Sequence, residues 1–87
     1  MPTITETAGA YLVQLLDEAQ AQDDIAIRLV LDDTNIMPTM DQARPGDTAF
    51  SFDGRRILVL DELVMRAMEG KTLDVQDSSE GPKIVLS

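Results

Sequence analysis

Chemistry in this sequence has to proceed without two of the residue types that most often perform it. The 87 residues include neither cysteine nor histidine. Disulfides, thiolate metal sites, thiol nucleophiles and imidazole bases are therefore excluded, and a general base would have to be Asp, Glu, Lys or Tyr. The chain also contains no phosphate-binding loop, dinucleotide fingerprint or Gly-x-Ser-x-Gly nucleophile motif. The sequence therefore predicts that the protein is not an enzyme.

Acidic pairs are the first remaining candidates for chemistry. They are Asp23-Asp24, Asp32-Asp33 and Asp61-Glu62. Each pair stands at the boundary of a predicted helix or strand, where solvated carboxylates are common, and none follows the spacing of a calcium loop. We interpret them as solvated surface groups. Weak iron binding by Asp32 and Asp33 is the alternative.

Two Met-x-x-Met segments, Met37 to Met40 and Met65 to Met68, are the second candidates. Thioethers are soft ligands that suit copper(I). Met65 and Met68, however, have the spacing of core residues on a short helix. Methionine commonly fills gaps in cores, and this chain has only three aromatic residues. Core packing is the preferred interpretation, and a copper carrier is the alternative.

The charge of the chain limits the partners that it can attract. Sixteen acidic and seven basic residues give a formal net charge of -9, and Arg55-Arg56 is the longest basic run. Such a chain repels nucleic acid phosphates and anionic lipids, so we expect neither as a partner. The acidity indicates solubility or, alternatively, a basic partner protein or a cation. No apolar run approaches the roughly 18 residues of a membrane span, so we expect a cytoplasmic protein.

The first half of the chain predicts one helix and one strand with an irregular continuation. Thr5 can cap a helix that carries an apolar stripe through Leu12 and Leu16. Residues 25–31 alternate as a strand with one face in the core, and residues 32–35 favour a turn. Residues 36–40 contain a proline and form at best an edge strand.

The second half predicts a hairpin, a short helix and two more strands. Asp53-Gly54 separates two strand-like runs, and this dipeptide favours a tight hairpin turn. Asp61 can cap a short helix that ends at Gly70. Strands are expected at 72–76 and 83–86. The prediction is one domain over residues 1–87 of the α+β class. It is mostly β, with curled mixed or antiparallel sheets, an N-terminal helix and a second short helix.

Apolar side chains in the segment 35–40 suggest an interaction surface. Ile36, Met37 and Met40 stand beside the predicted edge strand, and exposed apolar groups next to an open edge suit a partner chain or a second copy. The alternative is that this segment folds over the core. A protein partner or a homodimer is therefore expected at these three residues.

Several short motifs follow one another in a recognisable order. They are Ile4-Thr5 before the first helix, Ile27-Arg28-Leu29 on a strand, Asp53-Gly54 in a hairpin, Ile57-Leu58-Val59 on the next strand, and a short helix ending at Gly70. In their order and spacing these motifs resemble the HesB/IscA family of iron–sulphur cluster carriers. The resemblance spans nearly the whole chain.

The resemblance implies a compact, mostly β fold, self-association, and iron or cluster binding through three cysteines. One family cysteine would fall near Asn35, Ile36 and Met37, and two would fall in the tail after Asp77. This chain has no cysteine at either place. Isoleucine offers no donor and a thioether is a neutral, weak one, so neither replaces a thiolate around a cluster. Asn35, Ile36 and Met37 are thus a degenerate cluster-site region, with no metal ligand and no cofactor expected.

These inferences combine into one hypothesis with open alternatives. The chain is expected to be a non-enzymatic HesB/IscA-like domain that acts as a protein-interaction or accessory module linked to iron–sulphur biogenesis. The first alternative is a weak iron or copper carrier that uses carboxylates or methionines. The second alternative is a small-molecule-binding domain.

Overall fold

Two β-sheets and two helices make up the computed structural model, which describes residues 2–32 and 35–87. The elements in chain order are β1 (Thr3–Ile4), α1 (Glu6–Glu18), β2 (Ile25–Asp32), β3 (Asn35–Gln42), β4 (Thr48–Phe52), β5 (Arg55–Leu60), α2 (Glu62–Ala67), β6 (Thr72–Ser78) and β7 (Gly81–Leu86). One sheet has the order β3-β2-β5-β4 and the other has the order β1-β6-β7. The predicted α+β class is confirmed.

Helix α1 begins where the sequence predicts. The Ala8 amide donates a hydrogen bond to the Thr5 hydroxyl oxygen at 3.0 Å, and Thr5 has an extended backbone, as an N-cap residue does. Glu6 follows in the first turn, where a carboxylate interacts favourably with the helix dipole. Leu12 and Leu16 are wholly buried and attach the helix to the core.

Strand β3 is longer than predicted. It pairs antiparallel with β2 over its whole length, from Gln42 opposite Ile25 to Asn35 opposite Asp32. The prediction of a short strand over 36–40 is corrected to Asn35–Gln42, because the full length of β2 is available to pair with it. Its place at the sheet edge is confirmed. Asp32 and Asn35 are strand residues rather than turn residues, and the rest of the predicted turn, residues 33 and 34, lies outside the described residues.

The hairpin of β4 and β5 is confirmed. Asp53 and Gly54 both have positive φ, at 52° and 79°, as a type I′ turn requires. A register shift between Phe50 and Ser51 leaves Ile57 as an extra residue on β5. Strand β5 also pairs in parallel with β2, so the four-stranded sheet is mixed.

Strand β1 was not predicted, because two residues are too short to show any periodicity. It pairs in parallel with β6, with Thr3 opposite Thr72 and Ile4 opposite Leu73. The predicted strands 72–76 and 83–86 are both longer in the structure, as Thr72–Ser78 and Gly81–Leu86. They form an antiparallel pair.

The core lies between the two helices, one face of the four-stranded sheet and the three-stranded sheet. Its largest fully buried side chains are Leu12, Leu16, Ile27, Leu29, Ile57, Leu58, Leu60, Met68 and Leu73. The preferred interpretation of the second methionine pair is confirmed, because Met68 is fully buried and Met65 packs against the core. Neither α1 nor α2, the helices of the described residues, has the length and hydropathy that crossing a membrane requires.

Close packing at Gly9 provides a test of the contact between α1 and β4. A Cβ atom at this position would lie 2.6 Å from Cδ2 of Phe52. Alanine normally stabilises a helix interior by about 1 kcal/mol relative to glycine. Overpacking here opposes that gain at a cost of about 1–3 kcal/mol. We expect Gly9→Ala to lower the free energy of unfolding in urea. Adding Phe52→Leu should recover part of the loss, and a Gly9→Ala protein more stable than the parent would contradict the contact.

Candidate protein-interaction face

The four-stranded sheet has a second face, here called the outer face, that points away from α1 and the core. Side chains alternate between the faces of a strand, so β2 presents Ala26, Arg28, Val30 and Asp32 on the side opposite Ile27 and Leu29. The cross-strand register adds Met37, Thr39 and Asp41 from β3 and Val59 from β5.

Arg28 is the central polar group of the outer face. Its Nε donates to Asp41 Oδ2 at 2.9 Å, its Nη1 to Asp47 Oδ1 at 3.0 Å, and its Nη2 to the Gln42 carbonyl at 3.1 Å and also to Asp47 Oδ2. The Arg28 side chain is only 9% exposed and that of Asp47 only 5%. These three partners define the Arg28 network.

Charges in the Arg28 network hold one another in their ionised forms. The hydrogen bond from Arg28 lowers the pKa of Asp47 to about 2, against an opposing effect of burial. The hydrogen bond from the Gln42 backbone amide lowers the pKa of Asp41, and the hydrogen bond from Arg28 adds a smaller effect in the same direction. The hydrogen bond to Asp47 raises the pKa of Arg28. A general base works best with a pKa near the working pH, so carboxyls shifted downward are poorly suited to catalysis.

The Arg28 network fixes the connection between β3 and β4. The backbone amide of Arg44 donates to Asp47 Oδ2 at 2.7 Å, and the Arg44 guanidinium reaches Asp41 at 2.8 Å. The turn at residues 44–47, in which the Asp47 amide donates to the Arg44 carbonyl, is therefore linked to the middle of β2. Sequence reasoning missed this link because nothing in the alternating pattern shows which acids, 13 and 19 residues away, Arg28 meets.

The other end of the outer face is apolar and open. Val30 is 42% exposed, Met37 lies directly opposite it on β3 and is 55% exposed, and Leu63 of α2 is 75% exposed. Val30 and Leu63 line the same cleft, together with Asp61 and Val64. Val30, Met37 and Leu63 are called the apolar patch below.

The three predicted interaction residues are divided between two faces. Ile36 lies opposite Leu31 on the core side and is partly buried against the core. Met40 shares that side and is 42% exposed, whereas Met37 is on the outer face. The structure therefore brings Met37 to Val30 and separates it from Ile36 and Met40. Asn35 begins β3, opposite Asp32.

Val30 and Leu63 were missed as surface residues. The sequence did carry a signal for Val30. It falls between two core positions of β2, so alternation turns its side chain to the other face of the sheet. Leu63 is an apolar residue of the predicted short helix, and its type alone favours a buried position. Helix α2 has only six residues and turns Val64 and Met68 towards the core, which leaves Leu63 outside.

The proposed metal donors do not converge among the described residues. Met37 and Met40 lie on opposite faces of β3, so one copper ion cannot contact both thioethers. Met68 is fully buried. Asp32 is exposed at the end of β2, and Asp33 lies outside the described residues. Within residues 2–32 and 35–87, no three side chains of the His, Cys, Asp and Glu types form a group that could hold a metal ion.

The free edge of β3 is interrupted by a proline. Pro38 lies opposite Leu29, within an uninterrupted pairing of β2 and β3. Proline has no N–H, so it fits such a pairing when its nitrogen faces the free edge rather than β2. Hydrogen-bonding directions alternate along a strand, so the backbone groups of Ile36 and Met40 face the same edge. A partner strand added there would find no donor at Pro38. The open edge is therefore poorly suited to strand addition.

The helix, the mixed four-stranded sheet and the three-stranded sheet together form a HesB/IscA-like fold. Escherichia coli SufA, described as involved in biosynthesis of iron–sulphur clusters, matches 99% of this chain and 83% of its own, with a TM-score of 0.71 and 18% identity. A protein from Aquifex aeolicus matches 98% of this chain and 88% of its own, with a TM-score of 0.69 and 21% identity.

A third solved structure is IscA with the [2Fe-2S] cluster. It matches 100% of this chain and 84% of its own, with a TM-score of 0.67 and 13% identity. No family model and no curated protein matches the sequence. The likeness to the solved structures is therefore one of fold, which confirms the fold that the motif order predicted.

Removal of Arg28 tests the Arg28 network. Arg28→Met would leave the buried Asp47 carboxylate without its cation, and breaking a buried pair from one side typically costs about 3–5 kcal/mol. We expect a loss of that size in the free energy of unfolding in urea. Arg44→Met is the matched control: the Arg44 side chain is 68% exposed and pairs with the same Asp41. It should cost at most about 1 kcal/mol. Equal losses in the two variants would show that burial of Arg28 has no special importance.

Acid titration tests the charge state of Asp47. Its pKa in the folded protein is about 2, below the ordinary value of 3.8. The stabilisation from its carboxylate is therefore fully present above the ordinary pKa and is lost as the pH falls towards 2. We expect the free energy of unfolding of the parent protein to fall over this interval. In Asp47→Asn, less stable at neutral pH, the fall should be shallower. Curves of identical slope would contradict this assignment.

Proposed function

We propose that this chain is a non-enzymatic accessory module of iron–sulphur biogenesis, which binds a partner protein and carries no thiolate-ligated cluster. The observation that carries the proposal is the retention of a HesB/IscA-like fold by a sequence without cysteine. Iron–sulphur clusters in proteins are held mainly by cysteine thiolates. A chain that keeps the fold but has none of these ligands is best explained by a function that the fold performs through its surface.

The degenerate cluster-site region supports this proposal. Ile36 has no donor atom and lies partly buried on the core side of β3. Met37 is on the outer face, and its sulphur is a neutral thioether. By the resemblance, Asn35, Ile36 and Met37 stand where a family cysteine would lie, and the tail after Asp77 has none either. Neither region offers the anionic sulphur that a cluster requires.

The apolar patch supports protein binding as the retained activity. Val30, Met37 and Leu63 are large apolar side chains held open to solvent, and such groups mark interaction sites when they lie together. The net charge of -9 opposes binding to nucleic acid or anionic lipid. The partner is therefore a protein. An IscA-type or SufA-type carrier is the partner that the shared fold and the proposed process suggest first.

Reconstitution with iron and sulfide under anaerobic conditions tests the first half of the proposal. We expect the purified chain to remain colourless and to retain no stoichiometric iron after desalting, since no thiolate is available. A cysteine-containing IscA-type carrier treated in parallel is the positive control. Stoichiometric iron or a visible chromophore on this chain would overturn the proposal. If Asp32→Asn or Met37→Leu then abolished that binding, the metal-carrier alternative would take its place.

Binding to a cluster carrier tests the second half. The chain should co-elute with a purified IscA-type or SufA-type carrier from the same source in size-exclusion chromatography with light scattering. The iron content of the carrier should not pass to this chain. Separate elution from both carriers would count against the accessory role. Elution of the chain alone at twice its 9.5 kDa mass would instead support the homodimer.

A further inference from the structure

We propose that the apolar patch and its cleft receive a bulky apolar side chain from a partner segment that carries basic residues on either side of it. This inference rests on the proposed function, because it assigns the surface and the partner chemistry of the binding module. Four features of the structure support it: the exposure of the patch, the size of the cleft, the charges around the cleft, and the proline in the neighbouring sheet edge.

Exposure in the described part of the chain is concentrated at this place. Among the described residues four large apolar side chains are exposed, and three of them form the patch: Val30, Met37 and Leu63. The fourth, Met40, lies on the opposite face of β3. Two elements that are distant in sequence, the β2–β3 hairpin and α2, contribute to the patch, so it is a feature of the folded chain.

The cleft has the size of a side-chain pocket. It lies between β2 and the start of α2 and has a volume of about 230 Å³. Its apolar walls are formed by Leu29, Val30, Leu31, Leu63 and Val64. Pockets for small organic ligands are usually larger, at roughly 300–1,000 Å³. A single leucine or phenylalanine side chain matches the volume and the apolar lining better.

Charges around the cleft are acidic. Asp61 lines it, and Asp32 follows Val30 on the outer face of β2. Arg28 also lines the cleft, but Asp41 and Asp47 neutralise its guanidinium. With a whole-chain charge of -9, this arrangement attracts a basic segment and orients it during encounter.

The same charges disfavour a second copy of the chain as the occupant. In a two-fold dimer the same patch meets itself, so the acidic surroundings of one copy, which include Asp32 and Asp61, would lie against the same acidic surroundings of the other. Pro38 further hinders pairing of two β3 edges. A different protein, with basic residues around an apolar anchor, meets neither obstacle.

A short peptide tests this inference on the full chain. The probe is blocked Arg-Leu-Phe-Arg, with Glu-Leu-Phe-Glu and Arg-Ala-Ala-Arg as comparison peptides. Methyl resonances of labelled methionine report the site, because Met37 and Met40 are similarly exposed but lie on opposite faces of β3. We expect Arg-Leu-Phe-Arg to shift Met37 saturably and to leave Met40 in place. The two comparison peptides should bind at least about tenfold more weakly.

Matched variants complete the test. Met37→Ser with Leu63→Ser should abolish the peptide response, whereas Met40→Ser should retain it; circular dichroism checks that both variants are folded. Equal binding of the acidic peptide, an equal response at Met40, or no binding at all would overturn the inference. So would a shift of Met37 on concentrating the chain alone, because a second copy would then occupy the patch. If Met37→Ser with Leu63→Ser still co-elutes with the carrier, the proposed function stands and this surface is the wrong one.

Discussion

A buried arginine organises the sheet on which the proposed binding surface lies. Arg28 comes from the middle of β2 and meets Asp41 at the end of β3, Asp47 before β4 and the carbonyl of Gln42. One side chain thus ties together a hairpin and the connection that leaves it. An arginine that is 9% exposed has to be matched by charge and hydrogen bonds, since an unpaired buried cation is strongly destabilising. The network divides the outer face into an ion-paired half and an apolar half. Val30 and Met37 lie in the apolar half.

The fold of the iron–sulphur carriers here lacks every thiolate that would hold a cluster. A fold constrains the backbone and the core, and the chemistry depends on side chains placed upon it. The core of this chain is built from leucine, isoleucine, valine, alanine and methionine, and it requires no cysteine. The fold therefore forms without any thiolate.

Much of the fold could be predicted from local patterns. Asp53-Gly54 located the hairpin because only certain residues accept positive φ at both positions of a tight turn, and Thr5 and Asp61 located the two helix starts through their capping side chains. The candidate surface was harder to predict. Met37 was predicted as an interaction residue, which stays a prediction. The exposure of Val30 and Leu63 beside it was not predicted, because it depends on how α2 leaves β5. Strand β1 was too short to carry a pattern. Arg28 was placed on its strand by alternation, whereas its partners depend on tertiary structure that alternation does not encode.

Pro38 has a consequence for the behaviour of the chain at high concentration. Edge strands of sheets are templates for pairing between molecules, and long regular edges promote growth of fibrous aggregates. Strand β3 is eight residues long and lies at such an edge. The missing donor in its middle interrupts any continuous ladder between neighbouring molecules, and the repulsion between chains of charge -9 acts in the same direction. The chain can therefore expose apolar side chains beside an open edge and still resist polymerisation.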